Sequence, residues 1–163
     1  MAPRKVHHMD LQVVVSINKE VVSITNEPHE ISQPDSDALA TLLGDVESRA
    51  TNQDFEEAVP EKASLLVFRI ASGQHFKAGN KRTALVAGLT FLRKNGYAFD
   101  MRRPEWVNVV DKAGVAAADL DDLANVLKYI VKKTPTERKG WDNALKQVVE
   151  TNRRFLRDVG LQR

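Results

Sequence analysis

One stretch of the chain gathers residues that could handle a phosphate: Gly73-Gln74-His75-Phe76-Lys77-Ala78-Gly79-Asn80-Lys81-Arg82-Thr83-Ala84. A glycine and an asparagine stand where an apolar helix begins, and the first N–H groups of a helix have no partner inside it. Those groups and the helix dipole together make a site for anions. Lys81 and Arg82 add fixed positive charge beside it, and the planar fork of Arg82 suits two parallel bonds to a phosphate. Phe76 reads as the apolar anchor of the loop. The same residues also fit a plain Asn80 helix cap flanked by two solvated cations, and the pattern alone leaves both open.

Most of the chain reads as helices that could hold this loop. Val14, Ile17, Val21 and Ile24 recur at spacings of three and four and predict the buried face of a first helix, ended by Asn26-Glu27-Pro28. A polar segment to about Pro34 follows. Ser36 is the expected cap of a second helix that has Asp37 in its first turn and turns Leu39, Leu42, Leu43 and Val46 inward. Pro60 suits the first position of a third, since a helix start does not need its missing N–H. Leu65, Leu66, Phe68 and Ile70 make that helix apolar on most sides, as a central element is, and Gly73 closes it. The fourth runs from Gly79 or Asn80 to about Asn95, with a Leu85, Leu89 and Leu92 stripe, and with Ala84 and Gly88 allowing close approach. Tyr97-Ala98-Phe99 reads as extended. A fifth helix is expected from Pro104, and a sixth carries Leu120, Leu123, Val126, Leu127, Ile130 and Val131, with Lys132 and Lys133 in its last turn. Beyond a break and potential hinge at Thr134–Gly140, a seventh covers Trp141 to Asp158, with core docking the expected fate of its apolar stripe.

The expected fold class is therefore all-α, about six core helices plus an additional C-terminal one, in a single domain over residues 1–163. The core spans about 11–133 and the extension about 141–158. With 24 basic and 22 acidic side chains the net charge is only +2, so no general affinity for nucleic acid is expected and a basic site must be local. The absence of cysteine excludes disulfides and thiolate metal sites. Apolar runs fall short of the roughly 20 residues that cross a bilayer, and the first residues lack an apolar signal core. A cytoplasmic protein with no membrane partner is the resulting expectation. His7, His8 and His29 are scattered without metal-ligand spacing and read as surface residues, and His75 as a partly exposed loop residue.

Gly79-Asn80-Lys81-Arg82-Thr83-Ala84-Leu85, followed by Phe91-Leu92-Arg93-Lys94-Asn95-Gly96-Tyr97, resembles the signature of the Fic/Doc family, in its Asn-Lys-Arg form closest to the death-on-curing (Doc) branch. The family motif reads His-x-Phe-x-Asp/Glu-Gly/Ala-Asn-Gly/Lys-Arg, and the likeness covers roughly Leu11 to Lys133. It implies a Fic-like helical bundle in which the motif helix holds the phosphates of ATP or another nucleotide. AMP or phosphate then passes to a Ser, Thr or Tyr hydroxyl of a target protein. It also implies a toxin silenced by a small antitoxin partner.

Carried over by position, Phe76 is the anchoring aromatic, Gly79 and Asn80 the anion-hole start, and Lys81 and Arg82 the phosphate contacts. The motif histidine falls on Gln74, which is not basic, and the acidic Mg²⁺ ligand falls on Ala78, which has no side-chain oxygen. Loss of a general base alone slows a transfer by ~10²–10⁴. A nucleotide-binding protein of weak or silent activity is therefore expected, with no metal ligand from the motif. The alternatives are an active transferase that uses His75 as its base, and a non-catalytic interaction module. Some Fic proteins pair a glutamate of a Ser/Thr-x-x-x-Glu-Gly/Asn helix with an arginine near the nucleotide. Ser16 to Glu20 and Ser23 to Glu27 are followed by Val21 and Pro28, so that self-inhibition is not expected.

Overall fold

In the computed structural model the described residues are 5–99, 131–133 and 140–161. They form five helices and one short ribbon: α1 (Leu11–Ile24), α2 (Gln33–Ser48), α3 (Phe55–Gly73), α4 (Asn80–Lys94), β1 (Tyr97–Phe99), β2 (Val131–Lys133) and α5 (Trp141–Leu161). The fold is helical as expected, with four core helices and α5 among the described residues, fewer than the six and one anticipated. The helix expected from Pro104 and most of the one carrying Leu120 to Ile130 lie outside the described residues, as does the proposed hinge apart from Gly140.

α4 is the central rod. Every residue from Arg82 to Leu92 is buried, and the helix packs on α3, α5 and α1. A helix buried all round needs small residues where a neighbour crosses closely. Gly88 supplies this against α3: a Cβ there would lie 2.4 Å from Val67 Cγ2. The inward stripes of α1 and α2 fall where their periodicity put them, with Val14, Ile17 and Val21, and then Leu39, Leu42, Leu43 and Val46, all buried. α5 docks on α1 and α4 through Leu145, Val148, Val149 and Leu156.

Three boundaries differ from expectation. The cap of α2 is Ser32, not Ser36. Ser32 Oγ accepts from the Asp35 N–H at 3.2 Å and donates to Asp35 Oδ2 at 2.7 Å, so the first turn carries Asp35 rather than Asp37, with Pro34 just inside. α3 begins at Phe55, one turn and more before Pro60, which lies within the helix. The acids Glu56 and Glu57 occupy its first turn, where they favour the dipole. Val131–Lys133 is a strand instead of a helix end. It pairs antiparallel with Tyr97–Phe99 in the register Tyr97 to Lys133 and Phe99 to Val131. The β-branched and aromatic members of those triplets suit a pleated ribbon better than a last helical turn.

Gly88→Ala should destabilise the protein by about 1–3 kcal/mol, the cost of overpacking a close helix crossing. Urea unfolding measures it, and a second change, Val67→Ala, should recover part of the loss because the clash is with that side chain.

Candidate functional site

The turn between α3 and α4 is built by two amide side chains. Gln74 caps the end of α3 in the left-handed region (φ 52°), and its Nε2 donates to the Ala71 carbonyl at 2.9 Å. Asn80, the first residue of α4, is buried and folds its amide back over the loop. Its Oδ1 accepts from the Phe76 N–H at 3.0 Å and its Nδ2 donates to the Phe76 carbonyl at 2.7 Å. One side chain thus pairs both backbone groups of a buried loop residue, which would otherwise carry a desolvation penalty. Phe76 is buried beneath, and its backbone bridges Ile31.

Because Asn80 is spent on the loop, it does not cap α4. The cap position is Gly79, with φ 75° and no side-chain hydrogen bond to the helix. Glycine is required there twice over, by the positive φ and by a Val22 Cγ1 atom that would lie 2.9 Å from any Cβ. The start of α4 therefore receives no side-chain acceptor from the cap residue, the arrangement in which an external anion can serve.

Arg82 is not an open cation. Its side chain is buried, and Nη1 donates to the Val21 carbonyl at 3.0 Å and to Thr25 Oγ1 at 2.7 Å, while Nη2 pairs with Glu27 Oε1. Nη2 lies 3.6 Å from the position of a Gly79 Cβ, so the guanidinium sits beside the helix start with its charge taken up by the end of α1 and the residues after it. The Ser23 to Glu27 spacing lacks the residue that would complete the inhibitory motif, yet a glutamate still pairs with the motif arginine. Glu27 does so, from the segment that follows α1 and not from a helix. Lys81 is half-buried at the same helix start.

A second polar network was not visible in the sequence. Asn18, fully buried on α1, donates through Nδ2 to the Ala78 carbonyl at 2.9 Å and to Thr83 Oγ1 at 3.0 Å, tying α1 to the loop and to the first turn of α4. Its Oδ1 meets His29 Nδ1 at 2.7 Å. His29 is therefore no scattered surface residue; its half-buried ring also lies against Phe76, centroids 6.0 Å apart. The one signal for Asn18 was an amide on the apolar face of α1, between Ile17 and Val21.

His75 is buried, contrary to the expected loop exposure, and its Nδ1 has no hydrogen-bond partner among the described residues. Its ring lies against Gly73, where a Cβ would come within 2.2 Å of Nε2, and the charges acting on it are Asp35 and Arg69 rather than the cations of α4. Burial lowers its pKa below the ordinary 6.5. Ala78 contributes only its carbonyl to the network. Among the described residues no three His, Asp or Glu side chains gather as a metal site, and no helix is long and apolar enough to cross a membrane.

No protein-family model matches the chain. Among curated proteins it is similar to the protein kinase doc of Escherichia phage P1, 31% identical over 90 residues, which cover 55% of this chain and 69% of that protein. The chain belongs to the Doc family. For this Doc-family protein, the clamp of Asn80, the Gly79 cap and the Phe76 anchor are the geometry behind the Gly-Asn-Lys-Arg signature.

Burial also lowers the pKa of His8 and His29. A depressed histidine pKa means that the unfolded chain binds protons more readily than the folded one. Stability is then fully present above the ordinary value of 6.5 and is lost as pH falls through the folded values. Melting temperature should accordingly drop between about pH 7 and about pH 5, and His75→Asn should drop less steeply. An equal slope in both would show that His75 does not contribute.

Proposed function

We propose that this chain is a Doc-type nucleotide-binding protein that takes the phosphates of ATP or a related nucleotide at the start of α4 and transfers from it slowly as written. The observation that carries this is the Gly79 cap, which itself offers no side-chain acceptor to the helix start where Lys81 and Arg82 stand. The kinase name of the phage relative supports phosphoryl transfer to a Ser, Thr or Tyr hydroxyl of a protein over adenylyl transfer. Gln74 supplies no base, and Ala78 offers no side-chain oxygen to Mg²⁺. The burial of His75 on the α3 side gives no support to its use as a substitute base. A cytoplasmic setting and a small antitoxin partner, as the resemblance implies, belong to the same proposal, as does a single domain running through α5.

In this reading a phosphate competes with Glu27 for Arg82. Calorimetric titration should show saturable ATP binding, and its absence at about 1 mM nucleotide would remove the proposal. Glu27→Gln leaves a hydrogen-bonding side chain but releases the charge, and should tighten ATP binding about tenfold. Arg82→Ala should weaken it by about 1.5–3 kcal/mol, the range of a charge-assisted bond. Unchanged affinity in both variants would mean that Arg82 never reaches the phosphates.

Gln74→His alone should restore little transfer from labelled ATP, because position 78 remains an alanine. Adding Ala78→Asp should raise it further, within the ~10²–10⁴ that a placed catalytic group contributes. Robust transfer by the single variant would contradict this account.

A further inference from the structure

Gln74 puts no basic side chain at the position of the motif histidine, yet a histidine reaches the same loop from elsewhere in the chain. The Glu30 carbonyl accepts from the Lys77 N–H at 3.0 Å and Ile31 bridges Phe76, so residues 29–31 lie beside the loop that leads into α4. His29 approaches Phe76 from this segment and is joined to Ala78, the degenerate acidic position, through the single amide of Asn18.

The connectivity fixes the tautomer of His29. The Asn18 atom facing the Ala78 carbonyl must be the nitrogen, since a carbonyl only accepts; the Asn18 oxygen is then the atom that meets His29. An amide oxygen also only accepts, so His29 Nδ1 carries the hydrogen and donates. In the neutral ring the lone pair is then on Nε2, which has no hydrogen-bond partner among the described residues. A ring held by its Nδ1–H with Nε2 left as acceptor is the arrangement of an oriented general base.

We infer that His29, positioned by Asn18, accepts the proton of the hydroxyl that attacks a nucleoside triphosphate at the start of α4, the role Gln74 cannot fill. This rests on the nucleotide-binding proposal above. The hydroxyl oxygen forms a bond to the γ-phosphorus. The bond from that phosphorus to the β–γ bridging oxygen breaks, and the nucleoside diphosphate leaves with the electron pair. The hydroxyl proton passes to His29 Nε2 and from the imidazolium to solvent. Burial and Lys19 hold the His29 pKa below 6.5, which keeps the ring in its neutral, accepting form at physiological pH. The charged groups in its surroundings are Lys19 on α1, Glu27 and Glu30 on its own segment, and Lys77 across the bridge to the loop.

Two measurements test the assignment. Long-range ¹H–¹⁵N spectra of the wild-type protein should show the Nδ1–H tautomer at His29, and saturation with ATP should raise the His29 pKa because the phosphates favour the imidazolium. The opposite tautomer, or a pKa unmoved by bound ATP, overturns the assignment. In parallel, His29→Gln should lower transfer from γ-labelled ATP by about 10²-fold while ATP affinity stays within about twofold and the melting temperature holds. It should also abolish the rise of rate with pH. Equal rates in the two proteins, an undetectable rate in both included, overturn it too. Failure of the wild type to bind ATP at all is a different outcome: it removes the nucleotide-binding proposal and this inference with it.

Discussion

A buried guanidinium must find acceptors for its charge, and those of Arg82 all come from one place. The Val21 carbonyl, Thr25 and Glu27 belong to the end of α1 and the residues directly after it. This arginine therefore fixes where α1 stops relative to the start of α4, and it sends the following segment toward the α3–α4 loop. Removing one member of such a buried pair typically costs about 3–5 kcal/mol, because the remaining charge is left uncompensated. Glu27 is partly open to water, which places this pair toward the lower end. The interaction is thus structural before it is anything else, and an anion arriving at α4 meets an arginine that already has a carboxylate.

Two asparagines extend the same logic to uncharged groups. Asn80 satisfies both backbone groups of Phe76 and so holds the loop closed, which frees the cap position for Gly79. Asn18 satisfies Ala78 and Thr83 from the opposite side and passes its oxygen to His29. Buried polar side chains that are fully paired specify one arrangement, since any shift leaves a costly orphan. The loop's shape is consequently set by amide side chains, Gln74 among them, and Ala78 enters it through its backbone carbonyl alone.

Periodicity made the inner faces of α1, α2, α4 and α5 readable, because burying a stripe is a local consequence of helix geometry. The signature Gly79 to Arg82 likewise placed the loop and the α4 start correctly. Boundaries were less legible where two local signals competed: Ser32 and Ser36 are both competent caps, and Pro60 suits a helix start but also sits inside α3 once Asp54 and the following acids have begun it. Glu27, Asn18 and His29 could not be found by spacing at all. Their partners lie 55, 60 and 11 residues away along the chain, and nothing in a one-dimensional pattern reports which carboxylate a buried arginine will meet. The residues after Phe99 show the complementary limit. A run such as Ile130-Val131-Lys132-Lys133 fits a helical period, and only its pairing with Tyr97–Phe99 makes Val131–Lys133 a strand.

In the proposed function, the loop separates holding an anion from reacting it. Groups that shape the cradle (Phe76, Gly79, Asn80) are all present and engaged, whereas the two positions that would move a proton or hold a metal carry an amide and a methyl. Gln74 also has a task of its own: its amide caps the last turn of α3 from a left-handed backbone. An imidazole at that position would have to replace the Gln74 amide as the donor to the Ala71 carbonyl or leave that carbonyl without it. A residue there thus answers to the fold as well as to chemistry. In the proposed transfer, with glutamine committed to the fold, a proton acceptor at this loop would be a side chain that the fold does not need for capping. His29 packs against the loop from outside it, with Asn18 holding its Nδ1, whereas the unpartnered Nδ1 of His75 is buried on the α3 side.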